Sequence, residues 1–393
     1  MDVTDLRIAL FSGNYNYVRD GANQALNRLV EYLLRQGASV RVYSPTIDKP
    51  AFEPQGDLVG VPSFAIPGRG EYRVPMGFDS EVKADLERFA PNIVHVSSPD
   101  PTGHAATRFA RDRGLPILAS VHTRFETYPR YYKMGFLEPL MVAFLRRFYT
   151  RADALLAPSE SMAEVLREQG MGDDVAIWAR GVDRSIFSPE RRDLEWRVKQ
   201  GIGKDEVAVG FLGRLVLEKG LDVFAETMEV LRKRDVPHRV LVIGEGPARA
   251  FFEENCPEAV FVGFQQGADL GRAVASMDML LNPSVTETFG NVTLEAMACG
   301  LPVVAARATG STSLVVDGQT GRLVTPGDAE GFADVVEAYI RDPALREAHG
   351  RAGEKRSRDY SWDTINSVVA DTYRRLVSER GGARVGDPAP VSA

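Results

Sequence analysis

Residues 207–221 read Val-Ala-Val-Gly-Phe-Leu-Gly-Arg-Leu-Val-Leu-Glu-Lys-Gly-Leu. An apolar run of strand length stops at Gly213, a short turn carries Arg214 and Lys219, and an amphipathic stretch begins at Leu221. That order predicts strand, turn and helix. Further apolar runs at 240–243, 260–262, 279–281 and 303–305 alternate with helical stretches at 247–254, 268–277, 292–299 and 329–340. Upstream, runs at 7–11, 39–43, 93–97, 117–121, 154–157 and 175–179 alternate with helical stretches at 21–36, 102–113, 135–150 and 159–169. Such alternation predicts α/β architecture, with mostly parallel sheets covered by helices on both faces. Two series in one chain fit two Rossmann-like domains.

The turn-rich and then charged stretch 181–192 reads as the linker, which places domains at 1–190 and 191–360, a final helix at 361–380 and a disordered Gly/Pro/Ala-rich tail at 381–393. The prolines at 54, 62, 67 and 75 predict a long loop or irregular strands over 52–76. With 393 residues, 44% hydrophobic and 26% charged, the chain has the composition of a globular protein and the length of about two domains of roughly 100–200 residues. A net charge of −7 removes the broad basic field of a nucleic-acid binder, so no nucleic-acid partner is expected. Two cysteines, Cys256 and Cys299, are too few for a disulfide framework and predict a reducing, cytoplasmic setting. The acidic start Met1-Asp2-Val3-Thr4-Asp5 lacks the basic opening of a signal peptide. No run approaches the ~18 apolar residues of a spanning helix; the best, 134–145, is broken by Glu138.

Four stretches can carry chemistry. The turn 12–23 ends in Gly21 at a helix start, where backbone N–H groups approach an anion. It lacks G-x-G-x-x-G, which weakens a dehydrogenase reading, and standing alone it reads equally as a plain strand-to-helix turn. Arg214 and Lys219 lie at the carboxyl end of a strand, where open α/β sheets bind ligands, and two cations there suit a diphosphate; alone, such a pair also suits a solvated face. Residues 282–300 read Asn-Pro-Ser-Val-Thr-Glu-Thr-Phe-Gly-Asn-Val-Thr-Leu-Glu-Ala-Met-Ala-Cys-Gly. Glu287 on the loop and Glu295 in the first helical turns can face one crevice and grip sugar hydroxyls, while the amides of Gly290, Asn291 and Val292 hold phosphate. His122 stands directly after a strand, where an imidazole can bond a sugar hydroxyl or serve as an ordinary structural histidine. His104, at a helix start, takes the structural reading.

Taken jointly, Gly-Arg-Leu-Val-Leu-Glu-Lys-Gly at 213–220, Pro-Ser-Val-Thr-Glu-Thr-Phe-Gly at 283–290 and the Glu287/Glu295 pair closely resemble the retaining glycosyltransferases of family four. The resemblance spans nearly the whole chain. It implies the GT-B fold, two facing Rossmann-like domains with an interdomain cleft, and a last helix that crosses back to the N-terminal domain. It further implies that Arg214 and Lys219 bind the diphosphate of a nucleotide sugar, that Glu295 contacts the ribose, and that Glu287, Thr288, Phe289 and Gly290 line the sugar and phosphate pocket. Gly21 would approach the diphosphate from the other domain, His122 would touch the sugar, and the segments around Gly244 and Val262 would flank the base. His122, Arg214, Lys219 and Glu287 are the expected catalytic set. With no convincing Asp-x-Asp motif, no metal or other cofactor is expected.

The stretches at 122–132 and 287–292 look most like a subgroup of GDP-mannose-dependent mannosyltransferases and sulfoquinovosyl or glucosyl diacylglycerol transferases. A lipid or glycolipid acceptor is therefore expected, with α-mannosyl transfer from GDP-mannose preferred and a UDP-sugar-dependent diacylglycerol transferase as the alternative. A sugar-nucleotide epimerase and a non-catalytic nucleotide-sugar-binding subunit are more remote. Arg124, Tyr128, Arg130, Lys133, Arg146 and Arg147 surround the apolar residues of 134–145, a mixture suited either to an anionic bilayer or to a core helix with solvated arginines.

Overall fold

A computed structural model describes residues 1–18, 21–66, 69–127 and 135–381. The chain forms two compact units: Met1–Ala179 with the segment from Asp363 onward, and Arg180–Trp362.

In the first unit the strands are β1 (Arg7–Phe11), β2 (Ser39–Ser44), β3 (Asp57–Gly60), β4 (Ser63–Ile66), β5 (Arg69–Pro75), β6 (Ile93–Val96), β7 (Ile117–Ser120), β8 (Ala154–Ala157) and β9 (Val175–Ile177). Seven form one parallel sheet in the order β3-β2-β1-β6-β7-β8-β9, and β4 with β5 makes a separate antiparallel pair. Strands β6, β7 and β8 are buried throughout, which explains why they read as unbroken apolar runs and not as alternating ones. Their core includes Phe11, Tyr43, Val94, Ile117, Leu145 and Phe148. Residues 52–66 and 69–76 supply β3 and the hairpin, with Pro62 between strands and Pro75 at a strand end, where a missing N–H is tolerated.

The second unit continues with β10 (Ala208–Leu212), β11 (Arg239–Ile243), β12 (Val260–Phe261), β13 (Met279–Asn282), β14 (Val303–Ala306) and β15 (Gly321–Val324). They form a parallel sheet ordered β12-β11-β10-β13-β14-β15. Phe211, Phe224, Phe252 and Phe261 meet edge to face at 5.3–5.8 Å beneath it.

The division falls at 179/180 and not near 190. The turn-rich segment is built into the second unit: the Val182 amide donates to the Tyr360 carbonyl at 3.0 Å, and Arg184 donates to Ser357 Oγ at 2.9 Å and pairs with Glu354. The helix Trp362–Glu379 packs on the first unit, where Asp363 meets Arg35 at 2.6 Å and Arg375 meets Asp174 at 2.7 Å. The tail beyond 381 lies outside the described residues. Among the described residues no helix is long and apolar enough to cross a membrane, and Cys256 and Cys299 are free and buried.

Candidate functional site

Each parallel sheet reverses its winding once, at β1/β6 in the first unit and at β10/β13 in the second. Loops leaving the carboxyl ends of such a strand pair diverge and open a crevice between them.

At β10/β13 the two loops are tied by an ion pair. Lys219, in the short 3-10 turn Leu217–Lys219, places Nζ 2.5 Å from Glu287 Oε1, with side-chain exposures of 31% and 15%. Thr286 Oγ1 adds a hydrogen bond to the Glu218 carbonyl at 3.3 Å. Gly290, in the left-handed region at φ 98°, opens the helix Asn291–Ala298, so the first-turn amides of Asn291 and Val292 have no intrahelical acceptor. Phe289 is buried, 5.9 Å from the Tyr360 ring, and anchors the loop. A Cβ on Gly310 would come within 2.7 Å of the Glu287 carbonyl oxygen, so Gly310 lets the loop sit down. The Arg214 side chain is exposed. The helix-start amides and cations can hold an anion, while Glu287 and Glu295 can accept from hydroxyl groups.

Burial, with the nearby Glu287 charge adding to it, pushes the Glu295 carboxyl up to about 8. Between the ordinary carboxylate range and about 8, the native state keeps a proton that the unfolded chain has released, so stability falls as pH rises through that window. Glu295→Gln should therefore flatten the decline in unfolding midpoint and be the more stable protein above pH ~8. Parallel midpoint curves for the two proteins would contradict this environment.

The ends of β10, β11 and β12 are laced by glycines. The Gly213 amide donates to the Ile243 carbonyl and the Gly244 amide to the Gly263 carbonyl, both at 3.0 Å. Gly244 has φ 138°, and a Cβ there would stand 1.9 Å from the Gly213 oxygen. Val262 immediately precedes this contact. Gly213 ends the apolar run of the 213–220 motif, and the approach of three strand ends is the physical reason that glycine stands at 244 beside it.

In the first unit, the Gly13 amide donates to Ser98 Oγ at 3.0 Å, joining the β1 and β6 loops, and Gly21 opens the helix Gly21–Arg35. His122 follows β7 and bonds Ser120 Oγ through Nε2 at 2.9 Å, with its ring edge-on to Trp178 at 5.5 Å. His104 meets Arg151 at 3.2 Å and packs on Phe148, as a structural histidine does. Tyr128, Arg130 and Lys133 lie outside the described residues. Arg124 is paired with the buried Glu126 at 2.7 Å, whereas Arg146 is exposed and donates to the Gln169 carbonyl at 2.7 Å, a bond that fixes its side chain without neutralising its charge. The helix Glu138–Tyr149 buries Leu145, Phe148 and Tyr149 but leaves Leu140 and Phe144 exposed at 69% and 45%, next to Phe136 at 78%. One face is core; the other carries exposed apolar groups, with Phe144 edge-on to His104 at 5.7 Å, and Arg147.

Comparison with known proteins bears on both units. A family model described as Glycosyltransferase Family 4 matches residues 19–186, and one described as Glycosyl transferases group 1 matches residues 206–342. The sulfoquinovosyl transferase SQD2 of Arabidopsis thaliana is 32% identical over 373 residues, covering 92% of this chain and 72% of the relative. A GDP-mannose-dependent alpha-mannosyltransferase of Mycolicibacterium smegmatis is 31% identical over 382 residues, covering 95% and 99%. Among solved structures, sucrose-phosphate synthase from Thermosynechococcus elongatus aligns with a TM-score of 0.78 at 21% identity over 95% of this chain and 99% of that one. WaaG, a glycosyltransferase involved in lipopolysaccharide biosynthesis, aligns at 0.67 with 20% identity over 93% and 99%. With the GT-B fold in the structural neighbours and full-length relatives that transfer sugars, the chain belongs to glycosyltransferase family four and is a hexosyltransferase.

Proposed function

We propose that the protein transfers an α-mannosyl group from GDP-mannose, with retention and without a metal ion, to a lipid or glycolipid hydroxyl. The observation that carries the donor half is the Lys219–Glu287 pair at the β10/β13 crevice, beside the helix start at Gly290. Lys219, Arg214 and the Asn291 and Val292 amides are suited to stabilise the negative charge that builds on a departing diphosphate. Gly21 would make a further diphosphate contact, Gly244 and Val262 would border the base, Thr288, Phe289 and Gly290 would line the sugar pocket, and Glu295 would take the ribose. In the transfer, the C1–oxygen bond to the diphosphate breaks as the acceptor oxygen bonds to C1 on the same face. The acceptor proton passes to the leaving phosphate oxygen. Glu287, held by Lys219, orients sugar hydroxyls in this scheme and does not attack C1.

The mannosyl assignment is supported by the mycobacterial relative, which matches along 99% of its length. A UDP-sugar-dependent transfer to diacylglycerol is the second reading, favoured by the likeness to the plant sulfoquinovosyl transferase. A screen of GDP-mannose against UDP-sugars, with extracted lipids as acceptors and mass spectrometry of the products, separates the two. GDP-mannose should give the lipid product at an undiminished rate in excess EDTA. Turnover with UDP-sugars only, or strict dependence on added magnesium or manganese, would overturn the corresponding part.

The lipid acceptor is supported by the apolar face of Phe136, Leu140 and Phe144 beside Arg147, which suits peripheral contact with an anionic membrane. Leu140→Ser with Phe144→Ser should lower sedimentation with anionic vesicles at least about tenfold, since at roughly 0.8 kcal/mol per methylene the loss of about two membrane-buried methylenes already suffices. Unchanged sedimentation would remove this face from the account.

A further inference from the structure

His122 is the end of a chain of hydrogen bonds that begins on the last helix. Tyr373, on Trp362–Glu379, places its hydroxyl 2.6 Å from His95 Nδ1; His95 Nε2 lies 2.9 Å from Ser120 Oγ; and Ser120 Oγ lies 2.9 Å from His122 Nε2. Tyr373, His95 and Ser120 are fully buried. Trp178 closes one side, edge-on to both imidazoles at 6.3 and 5.5 Å, and is held by Asn366 of the same helix through Nε1 at 3.1 Å.

The chain has a direction. Burial raises the Tyr373 phenol, which keeps its proton, and among the described residues that hydroxyl has one hydrogen-bond partner, His95 Nδ1. A buried O–H without an acceptor is unfavourable, so Tyr373 donates and Nδ1 accepts. Burial lowers His95 to about 3, so the ring is neutral and its single proton sits on Nε2, from which it donates to Ser120 Oγ. The Ser120 hydrogen then turns to His122 Nε2, which must accept. Reversing every bond would strand the tyrosine proton in the core.

We propose that Tyr373, His95 and Ser120 are positioning residues that hold His122 in its Nδ1–H tautomer, so that the imidazole meets the transferred sugar as a hydrogen-bond donor and not as a base. The tautomer follows from the relay alone; the sugar contact rests on the function proposed above.

Nitrogen-15 NMR of the full-length, histidine-labelled protein tests both halves, because the two ring tautomers give distinct shift patterns and the sequence has only five histidines to assign. His95 should appear protonated at Nε2 and His122 at Nδ1. Ser120→Ala should release His122 into a mixture while leaving His95 unchanged, and Tyr373→Phe should disturb both rings. Turnover should fall at least about tenfold in Ser120→Ala with little change in donor KM, and Ser120→Thr should recover it. His122 protonated at Nε2 in the unmodified protein would overturn the relay. A tautomer that shifts in Ser120→Ala without a change in kcat would leave the relay standing and overturn the contact with sugar.

Discussion

Lys219→Ala should lower kcat/KM by about 10²–10³-fold, or ~3–4 kcal/mol of transition-state stabilisation, and by more than Arg214→Ala. Both substitutions remove a cation from a developing diphosphate. Only Lys219 is also the partner of Glu287, 2.5 Å away and 15% exposed. Without the ammonium, an unneutralised carboxylate remains beside the phosphates and repels what the lysine had attracted. The double variant Lys219→Ala with Glu287→Gln should therefore recover part of the loss in donor binding that Lys219→Ala causes alone. Steady-state kinetics with varied donor decides this, and unchanged turnover in both single variants would remove the β10 loop from the donor site.

Gly244→Ala should be nearly as damaging by a different route. The methyl group would meet the Gly213 carbonyl oxygen at 1.9 Å, in a backbone conformation of φ 138° that L side chains rarely adopt. Overlap and strain together should cost roughly 2–5 kcal/mol. Relief requires β11 to move away from the β10 turn, and that movement would displace Arg214, the next residue along. Denaturant unfolding should show the lost stability, and donor KM should rise in whatever fraction remains folded. Gly327→Ala is the control: φ is 78° there but nothing lies within 4 Å, so only about 1 kcal/mol of strain is expected. Equal effects at the two positions would mean that close approach of the strand ends is unimportant.

Much of this was open to reading in one dimension, because buried parallel strands must be apolar along their whole length and their loops must turn on glycine. Thus β10, β11 and β13 stand out in the sequence, as do Arg214, Lys219, Glu287 and Glu295 in the loops that follow. The helix Pro343–Ser357 escaped because it packs through small residues: a Cβ on Gly350 would come 2.1 Å from the Gly300 carbonyl oxygen, and such a face leaves no apolar period. The helix Ser80–Phe89 carried a usable signal in Asp79, whose carboxylate caps the Val82 amide at 2.8 Å. In the basic patch, Glu126 two residues on neutralises Arg124, whereas the Gln169 carbonyl that fixes the Arg146 side chain lies 23 positions away, where sequence spacing does not reveal it. The partners of His122 were hidden for a simpler reason. Tyr373 and His95 are 278 positions apart, and neither lies in a recognisable motif.

The division of the first unit into two lengths of chain also orders events during synthesis. Residues up to Ala179 leave the ribosome with His95 and Trp178 still uncovered, and all of Arg180–Trp362 must be translated before Tyr373 and Asn366 arrive to cover them. A nascent or prematurely terminated chain can thus carry every residue of the β10/β13 crevice while the strand ends around His122 remain open to water. The first unit's core around His95 and Trp178 therefore closes only when the eighteen residues of that helix have been made.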